Sequence, residues 1–267
     1  MNFSDARNKL QRARHHYEVL QREVRVSLAA YEPSLEARPG PQPGQVAIFA
    51  TRDVSVPTTD WALIVGDCVH DARAALDYAA WQAAGADPED RETSFPIACA
   101  AAEWRNVKSS GQKLPKAFGR LVTIAQPCFA RSAQDTPLRV LRDLNNADKH
   151  RLLQVVVAAV GRVSLTWSQG PDQPPTGRMA VEAADPDAPI LAGSCISIVT
   201  IEGLEATHSP KPELGLELMF GPTVGIGRRV DVLKALDAIL IDVQTILDRF
   251  DRQHLIETIP PPTTVTP

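Results

Sequence analysis

Apolar residues recur at spacings of three and four near both ends of the chain, and this period is typical of amphipathic helices. The pattern predicts a first helix over residues 3–30, which must end before Pro33, and a last helix over residues 228–256. Because the two apolar stripes have the same period, we expect the terminal helices to pack against each other. The recurring positions are Phe3, Ala6, Leu10, Ala13, Tyr17, Leu20 and Val24, and then Leu233, Leu236, Leu240, Val243, Leu247 and Phe250.

Two further main helices are predicted in the interior of the sequence. Residues 60–84 are apolar around most of the helix circumference, which is typical of a central helix in a bundle. Residues 136–151 have Pro137 at the first helical position, where its fixed φ favours a helix start. Shorter helices are expected near 100–109 and 115–125. The helical part therefore predicts a bundle of about four main helices.

The period of the pattern changes to two before the last helix. Residues 154–223 hold several runs of alternating side chains, separated by glycine and proline turn signals. Since no helix intervenes between these runs, we expect an antiparallel meander with one face covered. A further strand is expected at 46–54. It follows a stretch at 33–44 with four prolines and two glycines, which predicts an extended loop.

The fold class expected from these patterns is α+β, a helical bundle packed with an antiparallel β-sheet. Residues 1–257 are predicted to form a single α+β domain, and the proline-rich residues 258–267 a disordered tail. The chain has 267 residues, of which 44% are hydrophobic and 22% charged. These values are ordinary for a chain that buries a sizeable core.

Charge and cysteine content narrow the functional classes. The formal net charge of −4 argues against a strongly basic nucleic-acid-binding protein, although it is compatible with a local basic patch. The four cysteines form no CxxC pair, so neither a disulfide framework nor a zinc finger is indicated. The first residues lack an apolar signal segment, and no window of about 18 apolar residues occurs. We therefore expect a cytoplasmic protein without a membrane span.

Two polar residues interrupt the apolar face of the helix at 136–151. At about 100° per residue, Asn145 and Asp148 fall together with three leucines into an arc of about 80°. An amide and a carboxylate at positions where burial is expected each need a polar partner. This helix is therefore predicted to take part in either a structural polar network or a binding site.

The central helix carries a second polar group. His70, Arg73 and Asp77 project within about 60° of one another, on a face that is partly apolar. On its own helix Arg73 can pair with either neighbour, His70 or Asp77. If the two helices are neighbours, Arg73 could instead meet Asp148, because an arginine fork on a carboxylate is an economical way to bury both charges. Asp77 would then meet Asn145.

The predicted site is this polar cluster, and three interpretations of it stay open. It is a structural network that sets helix register, a pocket for a small anionic or polar ligand, or a solvent-exposed face. The leading functional hypothesis is a non-catalytic binding or interaction protein, in which Arg73 holds an anionic group and Asn145 orients a polar ligand. The site residues are His70, Arg73, Asp77, Asn145 and Asp148, with His150 at the margin.

Three sequence elements, in this order, resemble a family of bacterial proteins of uncharacterised function. They are VGDCVHDARAALDYAAWQ, then SFPIA at 94–98, and then LRDLNNADKHRLL. The family shows a GDxxHxxRxALD helix and a later DKHR helix end. The resemblance covers residues 61–153, but Tyr78 stands where the family pattern leads us to expect a second histidine. The resemblance implies no particular activity.

A more distant resemblance is to HEPN-type helical bundles, some of which cleave RNA without a metal. Their motif is an arginine, roughly four to six residues and a histidine. Arg249 and His254 have four residues between them and fit, whereas Arg142 and His150 have seven and do not. The alternative hypothesis is therefore a HEPN-like endoribonuclease that acts on RNA with an arginine and a histidine, in a homodimer.

Other chemistries find less support in the sequence. Asp67 and His70 have the spacing of a carboxylate metal site in a bundle, but no second such pair recurs, so no metal is predicted. The glycine-rich residues 221–227 lack the lysine of a phosphate loop, and no cofactor is predicted. His15 and His16, with arginines beside them on the first helix, are interpreted as a solvated face.

Overall fold

The computed structural model describes residues 3–30, 35–53, 55–85, 93–112, 114–167, 179–183, 190–201, 210–221, 224 and 230–258. These residues form helices and antiparallel strands, so the predicted α+β class is confirmed. The helices are α1 (Ser4–Ala30), α2 (Thr58–Ala84), α3 (Ala101–Gln112), α4 (Lys116–Ala125), α5 (Pro137–Asp148) and α6 (Val232–Thr258). The strands are β1 (Leu35–Pro39), β2 (Gln45–Ala50), β3 (Val155–Trp167), β4 (Met179–Ala183), β5 (Cys195–Ile201) and β6 (Pro210–Phe220).

The helices fall into two classes of length. Helices α1, α2 and α6 have 27 residues each, whereas α3, α4 and α5 have 12, 10 and 12. The described residues thus hold six α-helices, and the expectation of about four main helices is not confirmed. The short helices predicted near 100–109 and 115–125 are present as α3 and α4.

The strands belong to two sheets, so the prediction of one meander is wrong. Strands β1, β2, β5 and β4 form a four-stranded antiparallel sheet in that order, and β3 pairs with β6 in a two-stranded sheet. The alternating pattern predicts which face of a strand is buried, but it carries no information about the partner strand. Here β3 pairs with β6, which is three strands later in the chain, and its sequence neighbour β4 pairs with β5.

The proline-rich stretch at 33–44 was expected to be a loop, but part of it is strand β1. It pairs antiparallel with β2, from Leu35 opposite Ala50 to Pro39 opposite Val46. Proline is tolerated there because β1 is an edge strand, which leaves one row of backbone N–H groups without a ladder partner.

Contacts divide the chain into two compact units, which we describe separately. The helical unit comprises Met1–Leu20, Ala62–Leu153 and Thr223–Pro267. The strand unit comprises Gln21–Trp61 and Gln154–Pro222. The single domain over residues 1–257 and the disordered tail over 258–267 stay predictions, and residues 259–267 lie outside the described part of the chain.

Aromatic rings form the centre of the helical unit. The Phe3 ring of α1 lies 5.8 Å from the Phe250 ring of α6, and Phe118 of α4 lies 5.2 Å from Phe250. Arg7 of α1 also donates to Asp248 of α6 at 2.7 Å. These contacts confirm that the first and last helices pack together, as their matching apolar stripes predicted.

The four-stranded sheet has an aliphatic core of its own. Val46 and Ile48 of β2 and Val199 and Ile201 of β5 are each no more than 4% exposed. Leu35 of the edge strand packs against them.

Candidate functional site: a groove between the first two helices

A groove of about 950 Å³ runs along α1 and α2 within the helical unit. The contributions of α1 recur every three or four residues and are Asp5, Asn8, Lys9, Arg12 and His16. This spacing places them on one face, while Ala6, Leu10 and Ala13 on the other face are buried. The contributions of α2 are Asp67, His70, Asp71, Asp77, Tyr78, Trp81 and Gln82, and Thr93 follows from the segment after the helix.

Hydrogen bonds across the groove show that the two helices run antiparallel. Gln82 Nε2 donates to Asp5 Oδ2 at 3.3 Å, whereas His16 Nε2 lies 3.6 Å from Asp71 Oδ2. The early part of α1 therefore faces the late part of α2. The eleven helical steps from Asp71 to Gln82 separate these two contacts by about 16 Å along α2.

Asp71 forms the floor of the groove. Its side chain is 9% exposed, and its Oδ1 accepts a hydrogen bond from Lys9 Nζ at 2.7 Å. A carboxylate that is this deeply buried requires compensation of its charge, because an unpaired buried ion costs several kcal/mol. Lys9 is 32% exposed and provides that compensation from the rim of the groove.

Arg12 and His16 form the wall above Asp71. Arg12 Nε donates to His16 Nε2 at 3.2 Å. The same Nε2 lies 3.6 Å from Asp71 Oδ2, so His16 borders both Arg12 and Asp71. The interpretation of His16 as part of a solvated face is wrong, because its side chain is only 17% exposed.

Arg73 and Asp77 make a closed network directly beside the groove. Arg73 donates to both carboxylate oxygens of Asp77, at 3.0 and 2.8 Å, and to the carbonyl oxygen of Phe95 at 2.7 Å. The backbone N–H of Phe95 in turn donates to Asp77 at 2.9 Å. This network attaches the segment at 93–98 to α2.

The pairings of Arg73 with Asp148 and of Asp77 with Asn145 are therefore wrong, whereas the pairing of Arg73 with its i+4 neighbour is confirmed. Arg73 pairs with Asp77 instead of Asp148, and Asp77 binds Phe95 instead of Asn145. The physical reason is that an i, i+4 partner lies one helical turn away and needs no further chain closure to reach.

Helices α2 and α5 do approach each other, at a glycine that the sequence reasoning did not use. A Cβ atom added to Gly66 would lie 2.7 Å from Oδ1 of Asp148. Burial raises the pKa of Asp148 most, the nearby Asp67 raises it further, and His70 lowers it. A glycine in the middle of a helical pattern was the available signal for this close approach.

The six predicted site residues thus lie in several different environments. His70 and Asp77 line the groove, and Arg73 lies behind Asp77. Asp148 lies against Gly66. Asn145 is buried, at 6% exposure, and His150 is exposed just beyond the end of α5.

The sequence reasoning missed all five groove residues of α1. Their three-four spacing was visible, but its apolar positions drew attention to the opposite face. Arg249 and His254, which fit the HEPN spacing, project about 140° apart on α6. The His254 ring packs edge-on against Phe3 at 6.2 Å. Arg142, the other arginine considered, is paired with Glu103 at 2.7 Å.

Metal and thiol chemistry find little support in the described part of the chain. No group of three or more His, Cys, Asp or Glu side chains is arranged there to hold a metal ion. The four cysteines are free, and burial raises the pKa of Cys68 to about 12. Within the same residues, no helix has both the length and the apolar character that a membrane span requires.

Comparison of the chain with models of protein families, with curated proteins and with solved structures finds no match in any of the three. The functional argument therefore depends on the groove itself.

Proposed function

We propose that this protein binds a small polar molecule in the groove between α1 and α2, without catalysing a reaction on it. The observation that carries the proposal is the convergence of charged and aromatic side chains from two helices on one open groove of about 950 Å³. That volume lies within the range of roughly 300–1,000 Å³ that is usual for small-molecule sites.

The polar groups of the groove are held in place before any ligand arrives. Asp71 is held by Lys9, and Asp77 is held by Arg73 and by the backbone of Phe95. Fixed polar groups reduce the ordering cost of binding, which favours a specific site over a patch of mobile surface charges. Their placement on long helices, rather than on loops, supports the same conclusion.

The charge balance favours a small molecule over a nucleic acid. Four aspartates line the groove, whereas Lys9 and Arg12 are the two lining residues with a permanent positive charge. Acidic side chains therefore outnumber these basic ones. Nucleic-acid grooves gain most of their affinity from an excess of lysine and arginine over acidic residues. A groove with the opposite excess repels a phosphate backbone.

The test is a search for ligand on the purified protein. Native mass spectrometry of the full chain is expected to detect a co-purifying small molecule, or to detect binding when metabolite mixtures are added. Trp81→Ala removes an aromatic wall of the groove and is expected to abolish binding. Trp104→Ala is the matched control, because Trp104 packs against Phe129 outside the groove, at 6.0 Å between rings. Absence of any bound molecule, or equal loss in both variants, would overturn the proposal.

A second candidate function has one observation in its favour. Arg12 and His16 face the same groove and are hydrogen-bonded, as an arginine–histidine endoribonuclease of the HEPN type would require. Three residues separate them, which is one fewer than the motif of that class. Incubation with a fluorogenic single-stranded RNA tests this candidate. Cleavage that His16→Ala abolishes and His15→Ala preserves would support it, and an inert wild-type protein would exclude it.

A further inference from the structure

One end of the groove combines carboxylates, aromatic rings and an incompletely bonded amide. We call it the aromatic end, and it consists of Asp5, Asp77, Tyr78, Trp81, Gln82 and Thr93. We propose that the aromatic end binds the ammonium group of an organic amine. This inference rests on the proposed function and names the ligand class of the same groove.

The amide of Gln82 shows that this end is not a finished structural network. Gln82 Nε2 donates to Asp5 over a long distance of 3.3 Å. Its Oε1 is buried and has no hydrogen-bond partner among the described residues. Native proteins rarely leave such an acceptor without a donor, because its desolvation is costly. Gln82 therefore has acceptor capacity to offer a hydrogen-bond donor, and an ammonium group carries three such N–H donors.

Asp5 is the carboxylate that is available to such a donor. It lies in the first turn of α1 and is exposed, so its charge reaches the groove without a deep desolvation cost. Asp77 has its charge balanced by Arg73. An ammonium that bonds to Asp5 replaces the long bond from Gln82, and the amide is then free to turn its oxygen towards the same donor.

The two aromatic side chains fit an organic cation better than an anion. Trp81 is half-buried and Tyr78 is 44% exposed, so ring surface borders the groove beside the carboxylates. The faces of such rings attract ammonium groups and are repelled by carboxylates and phosphates. Lys9 and Arg73, the neighbouring cations, are each paired with an aspartate. The aromatic end therefore selects for positive charge.

The experiment compares three probes of similar size and different charge: butylammonium, butanol and butyrate. Each is titrated into the ¹⁵N-labelled full-length protein at pH 7, and the indole N–H signal of Trp81 is followed. The chain has four tryptophans, so the signal is assigned by its loss in Trp81→Phe. We expect butylammonium alone to shift this signal with a saturating curve, and the Trp104 signal to stay unchanged.

The variants test which carboxylate is used. Asp5→Asn is expected to weaken butylammonium binding about two- to fivefold, the usual size of one exposed charge contact, and Asp5→Glu to restore most of it. Glu18→Gln is the matched control, because Glu18 is exposed on the same helix outside the groove. It should leave binding unchanged.

The outcomes separate this inference from the function on which it rests. Equal binding of butanol, preference for butyrate, or an unchanged affinity in Asp5→Asn would overturn the ammonium proposal while leaving a ligand-binding groove. No shift with any probe would overturn the ammonium proposal as well. If native mass spectrometry also finds no bound molecule, the proposed function fails with it.

Discussion

Helix α2 takes part in two polar networks that look alike in sequence and differ in structure. The Arg73–Asp77–Phe95 network is local, closed by four hydrogen bonds, and uses the groups of a single turn and the adjoining segment. The Lys9–Asp71–His16 network joins two helices and opens into the groove. The first is closed within the chain, whereas the second borders the groove in which we propose that a ligand binds.

The difference teaches that burial of a polar residue does not by itself mark a site. The Arg73 side chain is 19% exposed and that of Lys9 is 32% exposed. Arg73 is thus the less exposed of the two, yet all of its described hydrogen bonds are to Asp77 and Phe95 of the closed network. Asp71 is more deeply buried than Asp77, yet it lies on the floor of an open groove. The two networks differ in what their remaining hydrogen-bond donors and acceptors face. Those of the Arg73 network face protein, and those of the Asp71 network face the open groove.

The largest expected effect is on the closed network. Arg73→Ala removes three hydrogen bonds and leaves Asp77 with an uncompensated charge, so we expect the free energy of unfolding to fall by about 2–3 kcal/mol. Urea denaturation of the purified variant measures the change. Lys234→Ala, at an i, i+3 pair where the lysine is 74% exposed, is the matched control and should cost below about 0.5 kcal/mol. Equal losses in the two variants would contradict the description of a closed network.

The next effect is on the floor of the groove. Asp71→Ala is expected to cost about 1–2 kcal/mol of stability, less than Arg73→Ala, because Lys9 at the rim can turn to water once its partner is removed. Ligand binding should be lost at the same time, since Lys9 and His16 lose the group that positions them. Thermal unfolding and binding are measured on the same preparation. A variant with the stability loss but normal binding would show that Asp71 is structural only.

A smaller effect is expected where α2 meets α5. In Gly66→Ala the new Cβ would lie 2.7 Å from Asp148 Oδ1, so the carboxylate must move. Overpacking of this kind costs about 1–3 kcal/mol, offset by about 1 kcal/mol from the better helix propensity of alanine, so we expect a net loss of about 1 kcal/mol. Adding Asp148→Ala should recover that loss in a double-mutant cycle. Additive losses in the double mutant would argue against the contact.

The smallest effect concerns pH. Burial and Asp67 raise the pKa of Asp148 in the folded protein above its ordinary value of 3.8. The folded state therefore holds this proton to higher pH than the unfolded chain, and stability should decline as pH rises through the interval above about pH 4. Asp148→Asn removes this decline. Because the group is only partly buried, and solvent weakens the effect, we expect a difference below about 1 kcal/mol. Unfolding curves for the wild type and Asp148→Asn at several pH values measure the difference in stability. Parallel pH profiles would contradict the expectation.

The elements that the sequence predicted well are those with a strong local period. The three-four stripe from Phe3 to Val24 corresponds to α1, and the stripe from Leu233 to Phe250 corresponds to most of α6. Their mutual packing also followed from the matching stripes. Strand β1 was missed because the prolines in and around it indicate a loop, and only its place at a sheet edge makes Pro39 acceptable.

The candidate site was predicted in part, for a reason that the residues make clear. The central helix was singled out as the carrier of polar groups, and two of its predicted residues, His70 and Asp77, line the groove. The partner helix was wrong for the groove, because Asn145 and Asp148 stood out as polar residues on an apolar face, whereas Lys9, Arg12 and His16 stood on a face that looked solvated. A polar face that borders a groove has the same sequence pattern as one that borders water.

The sequence by itself determined the helices, their apolar faces and the α+β class, because these depend on periodicities that repeat every few residues. The tertiary structure alone decided which strands pair, that Arg73 binds Asp77, and that α1 faces α2 across a groove with Asp71 at its floor. These are contacts between residues far apart in the chain, or choices among several nearby partners. Periodicity places a side chain on a face, but the packing of whole elements determines what that face meets.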